Sequence, residues 1–335
     1  MLKLGIIGTH IITDRLLAAA KQSGEYRLTT VYSRHMARAE EFGKQYGATG
    51  FYDSLEEFFA NGDFDVVYIA SPNSIHYEQV RLAIENDKFV IVEKPAFVNP
   101  HEFKEVTRLL AAHPKARLFE AARNIHTPLF KAVQKKIKQM KFGGATLNIM
   151  KYSSRIDKVY EGIKPVPNIF NPEFAGGAIE DLGVYGINMI VALYGKPDSV
   201  NYLPMMLPTG VDGNGVATLT YGSKSVNIVV GKTSNNYLGT EFYGGRDTVW
   251  LDNAINLRRG IYYDDDKQAH PFDVKVANND MIYELQDFAE IMNNLKDADN
   301  EARYQKWLQL AEDVNQVTYD LRQSCDLTFP ADTNY

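Results

Sequence analysis

Two short stretches near the start of the chain have the residue types that a phosphate-bearing ligand requires. Gly8-Thr9-His10-Ile11-Ile12-Thr13 lies where an apolar run meets an amphipathic one, a strand-to-helix turn. In a dinucleotide-binding fold such a turn takes the pyrophosphate. Glycine lets the backbone come close, and the helix start offers amide donors and a positive dipole end. Gly8, Thr9, His10 and Ile11 are the candidate contacts. The full fingerprint is Gly-x-Gly-x-x-Gly or Ala, and here only its first glycine stands, with His10 in the second place and Thr13 in the third. Taken alone, the segment reads equally as a plain connection. His10 either caps the helix, contacts phosphate or weakens binding. The second stretch is Val31-Tyr32-Ser33-Arg34, with Arg38 one turn later. An NAD-specific fold usually places Asp or Glu at the end of its second strand for the ribose 2′-hydroxyl, whereas a cation suits a 2′-phosphate. No acid stands there. Ser33 can donate a hydrogen bond and Arg34 can form a planar charge-assisted pair. This favours NADP over NAD. The bland alternative is a pair of solvated arginines at a helix start.

These residues need a scaffold, and the first 120 residues provide one. Apolar strand-like runs at Leu2–Ile7, 27–32, 65–70, 89–92 and 117–119 alternate with amphipathic helical stretches. Ser54-Leu55-Glu56-Glu57 is a capping box, and Asn99-Pro100 gives a cap followed by a first-turn proline. Strands that are apolar throughout and alternate with helices make a parallel sheet covered on both faces. After a helix from Pro128 the pattern changes. Strand-like segments at 145–152, 216–221, 225–230, 240–243, 248–251 and 255–258 follow one another with turns between them, which predicts a largely antiparallel sheet. A helix over about 177–194 interrupts them, and two long helices end the chain. The fold class is α/β: a Rossmann-type doubly wound parallel sheet over 1–122, then an α+β domain with a large, mostly antiparallel open sheet over 123–335. The terminal helices are free to pack back onto the first domain.

Composition narrows the function. With 335 residues the chain is long enough for two domains. A net charge of −6 with mixed signs leaves no footprint for nucleic acid and no polybasic segment for a membrane. No unbroken run of 18 apolar residues occurs, and the first residues lack a signal-peptide pattern. The single cysteine, Cys325, allows no internal disulfide and fits a reducing compartment. The expected location is the cytoplasm. Asp264-Asp265-Asp266 reads as a solvated hairpin turn and not as a metal site, because no further ligands are spaced around it. No metal is expected.

Three more segments sharpen the picture: Ala70-Ser71-Pro72-Asn73-Ser74-Ile75-His76, Val92-Glu93-Lys94-Pro95, and Gly176-Gly177-Ala178-Ile179-Glu180-Asp181-Leu182-Gly183-Val184-Tyr185. Together with the first turn, in this order and spacing, they closely resemble the glucose-fructose oxidoreductase / inositol dehydrogenase / rhizopine-catabolism (Gfo/Idh/MocA) family across nearly the whole chain. The resemblance implies a two-domain NAD- or NADP-dependent oxidoreductase acting on sugars, polyols or related cyclic hydroxy compounds. It implies that Lys94 is the catalytic lysine, that Asp181 is the family's second-domain aspartate, and that Ser71, Pro72, Asn73, His76, Glu93 and Lys94 lie along the cofactor. His76 reads equally well as a capping or core histidine. Tyr185 stands where many members carry histidine, which is similar to the dimeric dihydrodiol dehydrogenases. The Lys94-Pro95 bond is expected to be cis, as it often is in the family. One departure is in the hinge: Glu120-Ala121 begins as the family does, but Ile125-His126 replaces the Arg-Phe that many members place before the proline. Substrate identity is therefore not carried over.

The chemistry agrees with these assignments. Interconverting an alcohol and a ketone by hydride transfer requires a proton to move at the oxygen. A lysine beside an oxidised nicotinamide has its pKa lowered by burial and by the ring's charge, which suits acid-base work. Asp181 and Tyr185, four apart on a predicted helix, face the same way. The sequence leaves open whether Lys94 or Tyr185 is the acid-base. Two other functions remain within the same family: a non-catalytic NADP-binding sensor and an NAD-dependent glycosidase. Several second-domain strands, such as Ser225–Val230 and Thr248–Leu251, carry apolar groups on both faces. Two copies facing each other would bury the outer one, so a homodimer or a dimer of dimers is expected.

Overall fold

The computed structural model describes residues 1–333 and divides into two compact units. One is Met1–Arg123 with Ala277–Ala311, the other Asn124–Val276 with the residues from Glu312 on.

The first unit alternates strand and helix: β1 (Leu2–Ile7), α1 (Ile11–Ser23), β2 (Tyr26–Tyr32), α2 (Met36–Gln45), β3 (Gly50–Tyr52), α3 (Leu55–Asn61), β4 (Val66–Ile69), α4 (His76–Glu85), β5 (Phe89–Glu93), α5 (Pro100–Ala112) and β6 (Arg117–Ala121). The strands pair in the order β3-β2-β1-β4-β5-β6, all parallel. Leu4, Ile6, Val66 to Ile69 and Val90 to Val92 have no accessible surface, as a sheet covered on both faces requires. The caps match the sequence reading. Ser54 accepts the amide of Glu57, and Asn99 accepts that of Glu102 ahead of Pro100. The strand order reverses between β1 and β4, and ligands of such sheets bind in the crevice outside the carboxyl ends of the strands there.

The second unit contains α6 (Pro128–Ile137), β7 (Gly144–Met150), α7 (Ile156–Tyr160), a π-helical turn (Ile179–Gly183) running into α8 (Val184–Tyr194), β8 (Ser199–Met206), β9 (Asp212–Tyr221), β10 (Lys224–Gly231), β11 (Thr240–Gly244), β12 (Asp247–Leu251), β13 (Gly260–Tyr263) and β14 (Ala269–Pro271). Its sheet runs β14-β13-β12-β11-β7-β10-β9-β8, antiparallel except for the β7–β10 pair. Pro172–Tyr194 is apolar enough to cross a membrane by length and composition, but 83% of that window is buried. It is a core helix: a Cβ on Gly186 would fall within 3.3 Å of Leu147, Ile149 and Ile228 on the sheet.

Two expectations are corrected. Residues 255–258 are a loop, because Asn253 Oδ1 accepts the amides of Ile255 and Asn256 and Asp252 accepts that of Arg258. These side chains offer the backbone a local alternative to a ladder, while Ile255 and Leu257 are buried. The strand is β13 instead. Further, the chain after residue 123 is not one domain. The helix α9 (Met281–Asn293) and the first half of α10 (Ala298–Gln323) belong to the first unit. Met281, Leu285, Phe288 and Met292 pack with Leu16, Leu28 and Phe119, and Tyr26 donates to the carbonyl of Leu285 at 2.7 Å. The sheet face needs this cover.

Candidate active-site residues on the two units

Gly8 has φ +106°, and a Cβ there would lie 2.7 Å from the carbonyl oxygen of Ala70. The ends of β1 and β4 meet here, with the Ala70 amide donating to Ile7 at 2.8 Å. Only glycine fits. His10 is different: φ −113°, ψ 175° is extended backbone that any residue adopts, and its side chain is exposed and makes no cap. The second glycine of the fingerprint is thus not required by the backbone. Thr13, buried in the third place, donates its hydroxyl to the Gly8 carbonyl at 3.0 Å and fastens the turn. Ile11 is exposed at the start of α1, and Thr9 is buried.

At the end of β2 the Ser33 amide donates to the Tyr52 carbonyl at 3.1 Å. The two arginines separate in role. Arg38 donates to the Thr9 carbonyl at 2.9 Å and to its hydroxyl at 3.2 Å, with its guanidinium over the Phe42 ring. Arg34 is exposed, and no ion pair holds it among the described residues. A glycine cradle that a Cβ would fill, a helix start and a free cation with no acid at the strand end fit a nicotinamide dinucleotide carrying a 2′-phosphate.

After β4, the loop of Ser71, Pro72 and Asn73 is held by Ser71 donating to Gln79 at 2.7 Å and by His76. His76 has no accessible surface, and its ring nitrogens lie 2.9 Å from the Ser71 carbonyl and 3.1 Å from that of Pro95. Burial holds its pKa below the usual histidine value, against the surrounding carbonyls that favour the charged form. His76 therefore joins the loop after β4 to the loop after β5 from inside the protein. Glu93 accepts from Tyr68 at 2.6 Å, and the Ala96 amide donates to Glu120 at 2.9 Å. These bonds bracket Lys94, which is half-buried and joined to Pro95 by a cis peptide. Glu284 of α9 was not anticipated. It is fully buried, neither of its oxygens has a hydrogen-bond partner among the described residues, and burial together with Glu93 raises its pKa well above the ordinary carboxylate value.

On the second unit, Asp181 sits in the π-helical turn and Tyr185 in the first turn of α8. Asp181 is half-exposed, whereas Tyr185 is 5% exposed. The Tyr185 carbonyl accepts from Asn124, which also donates to Ala254. π-Helical turns are rare and concentrate at functional sites. Gly176 and Gly177 serve close approach within the unit. A Cβ on Gly176 would strike the backbone of residues 168 and 169 at 2.7 Å, and one on Gly177, at φ +126°, would lie 2.1 Å from Asp212 Oδ1. Buried Asp212 accepts the Ile179 amide at 2.8 Å and the Tyr202 hydroxyl at 2.6 Å. Glu180 meets Arg322 at 2.7 Å, both buried. Lys232, directly after β10, pairs with the Asp181 carboxylate through its ammonium. Neither Asp212 nor Lys232 was anticipated, since their spacing to the motif has no periodic signature. Asp264 accepts the amides of Asp266 and Gln268 and pairs with His270, as a hairpin turn does.

Comparisons with known proteins bear on the family and the fold. Residues 2–120 match the model of the oxidoreductase family with an NAD-binding Rossmann fold. The chain is 32% identical over 335 residues to scyllo-inositol 2-dehydrogenase (NADP(+)) IolU of Bacillus subtilis (strain 168), covering 99% of both chains. It is 30% identical over 334 residues to the uncharacterized oxidoreductase YgjR of Escherichia coli (strain K12), again covering 99% of both. A 3-ketoreductase from Actinomadura kijaniata, solved with NADP and TDP-benzene, shares the fold with a TM-score of 0.80 at 18% identity, over 96% of this chain and 97% of that one. With full-length identity at this level, the chain belongs to the Gfo/Idh/MocA family of oxidoreductases.

Proposed function

We propose that the protein is a cytoplasmic, NADP-preferring dehydrogenase or reductase that interconverts a CH–OH group and a ketone on a sugar, polyol or related cyclic hydroxy compound. The observation that carries this reading is a row of three residues past the carboxyl ends of three strands of one parallel sheet. Arg34 follows β2, Gly8 follows β1 and Lys94 follows β5. In that order the row offers a cation for a 2′-phosphate, a backbone cradle for pyrophosphate and an amine for the reacting oxygen. The NADP-dependent inositol dehydrogenase among the relatives supports both the cofactor and the substrate class. When bound, the nicotinamide accepts or supplies the hydride. The acid-base that takes or returns the proton at the substrate oxygen is Lys94, Tyr185 or both. Asp181, half-exposed, accepts a hydrogen bond from a neighbouring substrate hydroxyl.

A screen of polyols and sugars with NADP+ and NAD+, following nicotinamide reduction, tests the assignment. Lys94→Ala should abolish turnover and leave cofactor affinity near wild type. Near-wild-type kcat in that variant would overturn the role of Lys94. The outer face of the second-unit sheet supports a homodimer: Leu203, Met205 and Val216 are 67%, 69% and 38% exposed, beside half-buried Val229 and Trp250.

A further inference from the structure

Lys232 is 4% exposed, an expensive place for a cation. Its backbone is fixed on two sides: its amide donates to the Gly213 carbonyl at 2.8 Å, and its carbonyl accepts the Ser153 amide at 2.9 Å. The ammonium therefore has a fixed origin, and it is spent on Asp181 Oδ2. The pair is asymmetric, with the lysine side chain 5% and the aspartate side chain 31% exposed. A buried cation holds one oxygen of a carboxylate that still reaches solvent. We propose that Lys232 is the positioning residue for Asp181. It clamps one carboxylate oxygen and so fixes the orientation in which Asp181 meets a hydroxyl of the substrate. This rests on the proposed function, in which Asp181 accepts a hydrogen bond from a substrate hydroxyl.

The asymmetry makes the inference testable with and without a substrate. Protein labelled with 13C at the aspartate carboxyls is titrated by NMR as wild type, Lys232→Met and Lys232→Arg. The Asp181 resonance is identified by its loss in Asp181→Asn. Removing a neighbouring cation raises a carboxylate's pKa by about one unit or more. The Asp181 midpoint should therefore rise by that amount in Lys232→Met and return towards wild type in Lys232→Arg. Glu180 and Asp212 are the same in all three proteins. An unchanged midpoint in Lys232→Met overturns the proposal. Thermal unfolding adds a second readout. Asp181→Asn strands the buried cation and should lower Tm more than Lys232→Met, which leaves an anion with access to water, and the double variant should recover part of the loss. The reverse order would count against the clamp. With scyllo-inositol and NADP+ as the probe, Lys232→Met should lower kcat/KM at least tenfold without changing NADP+ affinity. The double variant should be no worse than Asp181→Asn alone. Fully multiplicative losses would show that Lys232 acts independently and overturn the positioning role. If the wild type oxidises no polyol, the functional reading falls while the titration still decides the clamp.

Discussion

Replacing Arg34 with alanine tests the proposed basis of cofactor choice. Arg34 is exposed, lies directly past β2 and is free of ion pairs among the described residues, so its removal disturbs little of the fold. A hydrogen bond to a charged group contributes about 1.5–3 kcal/mol. Exposure to solvent and salt puts this contact at the low end, roughly 1.5 kcal/mol, which corresponds to about tenfold in Kd. NADP+ affinity should fall by that factor at low salt, with the difference from wild type narrowing as ionic strength rises. NAD+, lacking the 2′-phosphate, should bind as before. Arg38→Ala gives the contrast. That guanidinium braces the pyrophosphate turn through the carbonyl and hydroxyl of Thr9, so its loss should weaken both cofactors alike. Fluorescence titrations of NADPH and NADH with wild type and both variants, at two ionic strengths, measure all of this. Unchanged NADPH affinity in Arg34→Ala, or equal losses for both cofactors, would refute the assignment.

Gly8→Ala puts a Cβ 2.7 Å from the Ala70 carbonyl at φ +106°, so urea unfolding should show a loss of at least about 2 kcal/mol and cofactor binding should disappear. For His76, burial depresses the folded pKa below the unfolded value of about 6.5. The stability it contributes is therefore present above that pH and lost as pH falls through the folded value. The Tm advantage of wild type over His76→Asn should shrink as pH drops below about 6.5, and a constant difference would exclude a buried neutral imidazole. Val229→Asp, on the outer sheet face, should convert a dimer seen by light scattering into the 37.8 kDa monomer; a variant that stays dimeric places the interface elsewhere.

What the sequence made legible was local. Apolar runs without alternation marked the parallel strands, and Ser54 and Asn99 marked helix starts to the residue. Glu93-Lys94-Pro95 stood out only through the family resemblance, since its residue types alone read as a surface turn. What escaped depended on partners distant in the chain. β8 contains Pro204, which argues against a strand unless the strand lies at a sheet edge, as this one does. β3 and β14 are three residues each, too short for a periodic signal. α9 reads as an amphipathic helix in any fold, and nothing local says that its apolar face covers the first sheet. Lys232 and Asp212 lie 51 and 33 residues from Asp181 and Ile179, the groups they hold.

The turn that carries Asp181 shows how those distant residues act together. Its π-helical geometry is uncommon in itself. At its start, Asp212 is buried with Oδ1 lacking a hydrogen-bond partner among the described residues, and burial raises its pKa. Gly177 leaves room for that carboxylate at a φ that other residues avoid. Next along the turn, Glu180 and Arg322 form a buried ion pair, with Arg322 extending to Asp332 at 2.7 Å. A buried pair of this kind is often no more stabilising than well-packed apolar side chains of similar volume. Fold stability alone does not call for an orphaned carboxylate oxygen, a glycine at a φ that other residues avoid and two buried cations around five residues. What they share is the effect on the one acidic side chain of that turn that reaches solvent. Asp212 fixes the Ile179 amide, Arg322 fixes Glu180, and Lys232 fixes Asp181. The backbone on both sides of the carboxylate and one of its oxygens are thereby set, so that in the proposed role of Asp181 less orientational freedom remains to be lost on binding substrate.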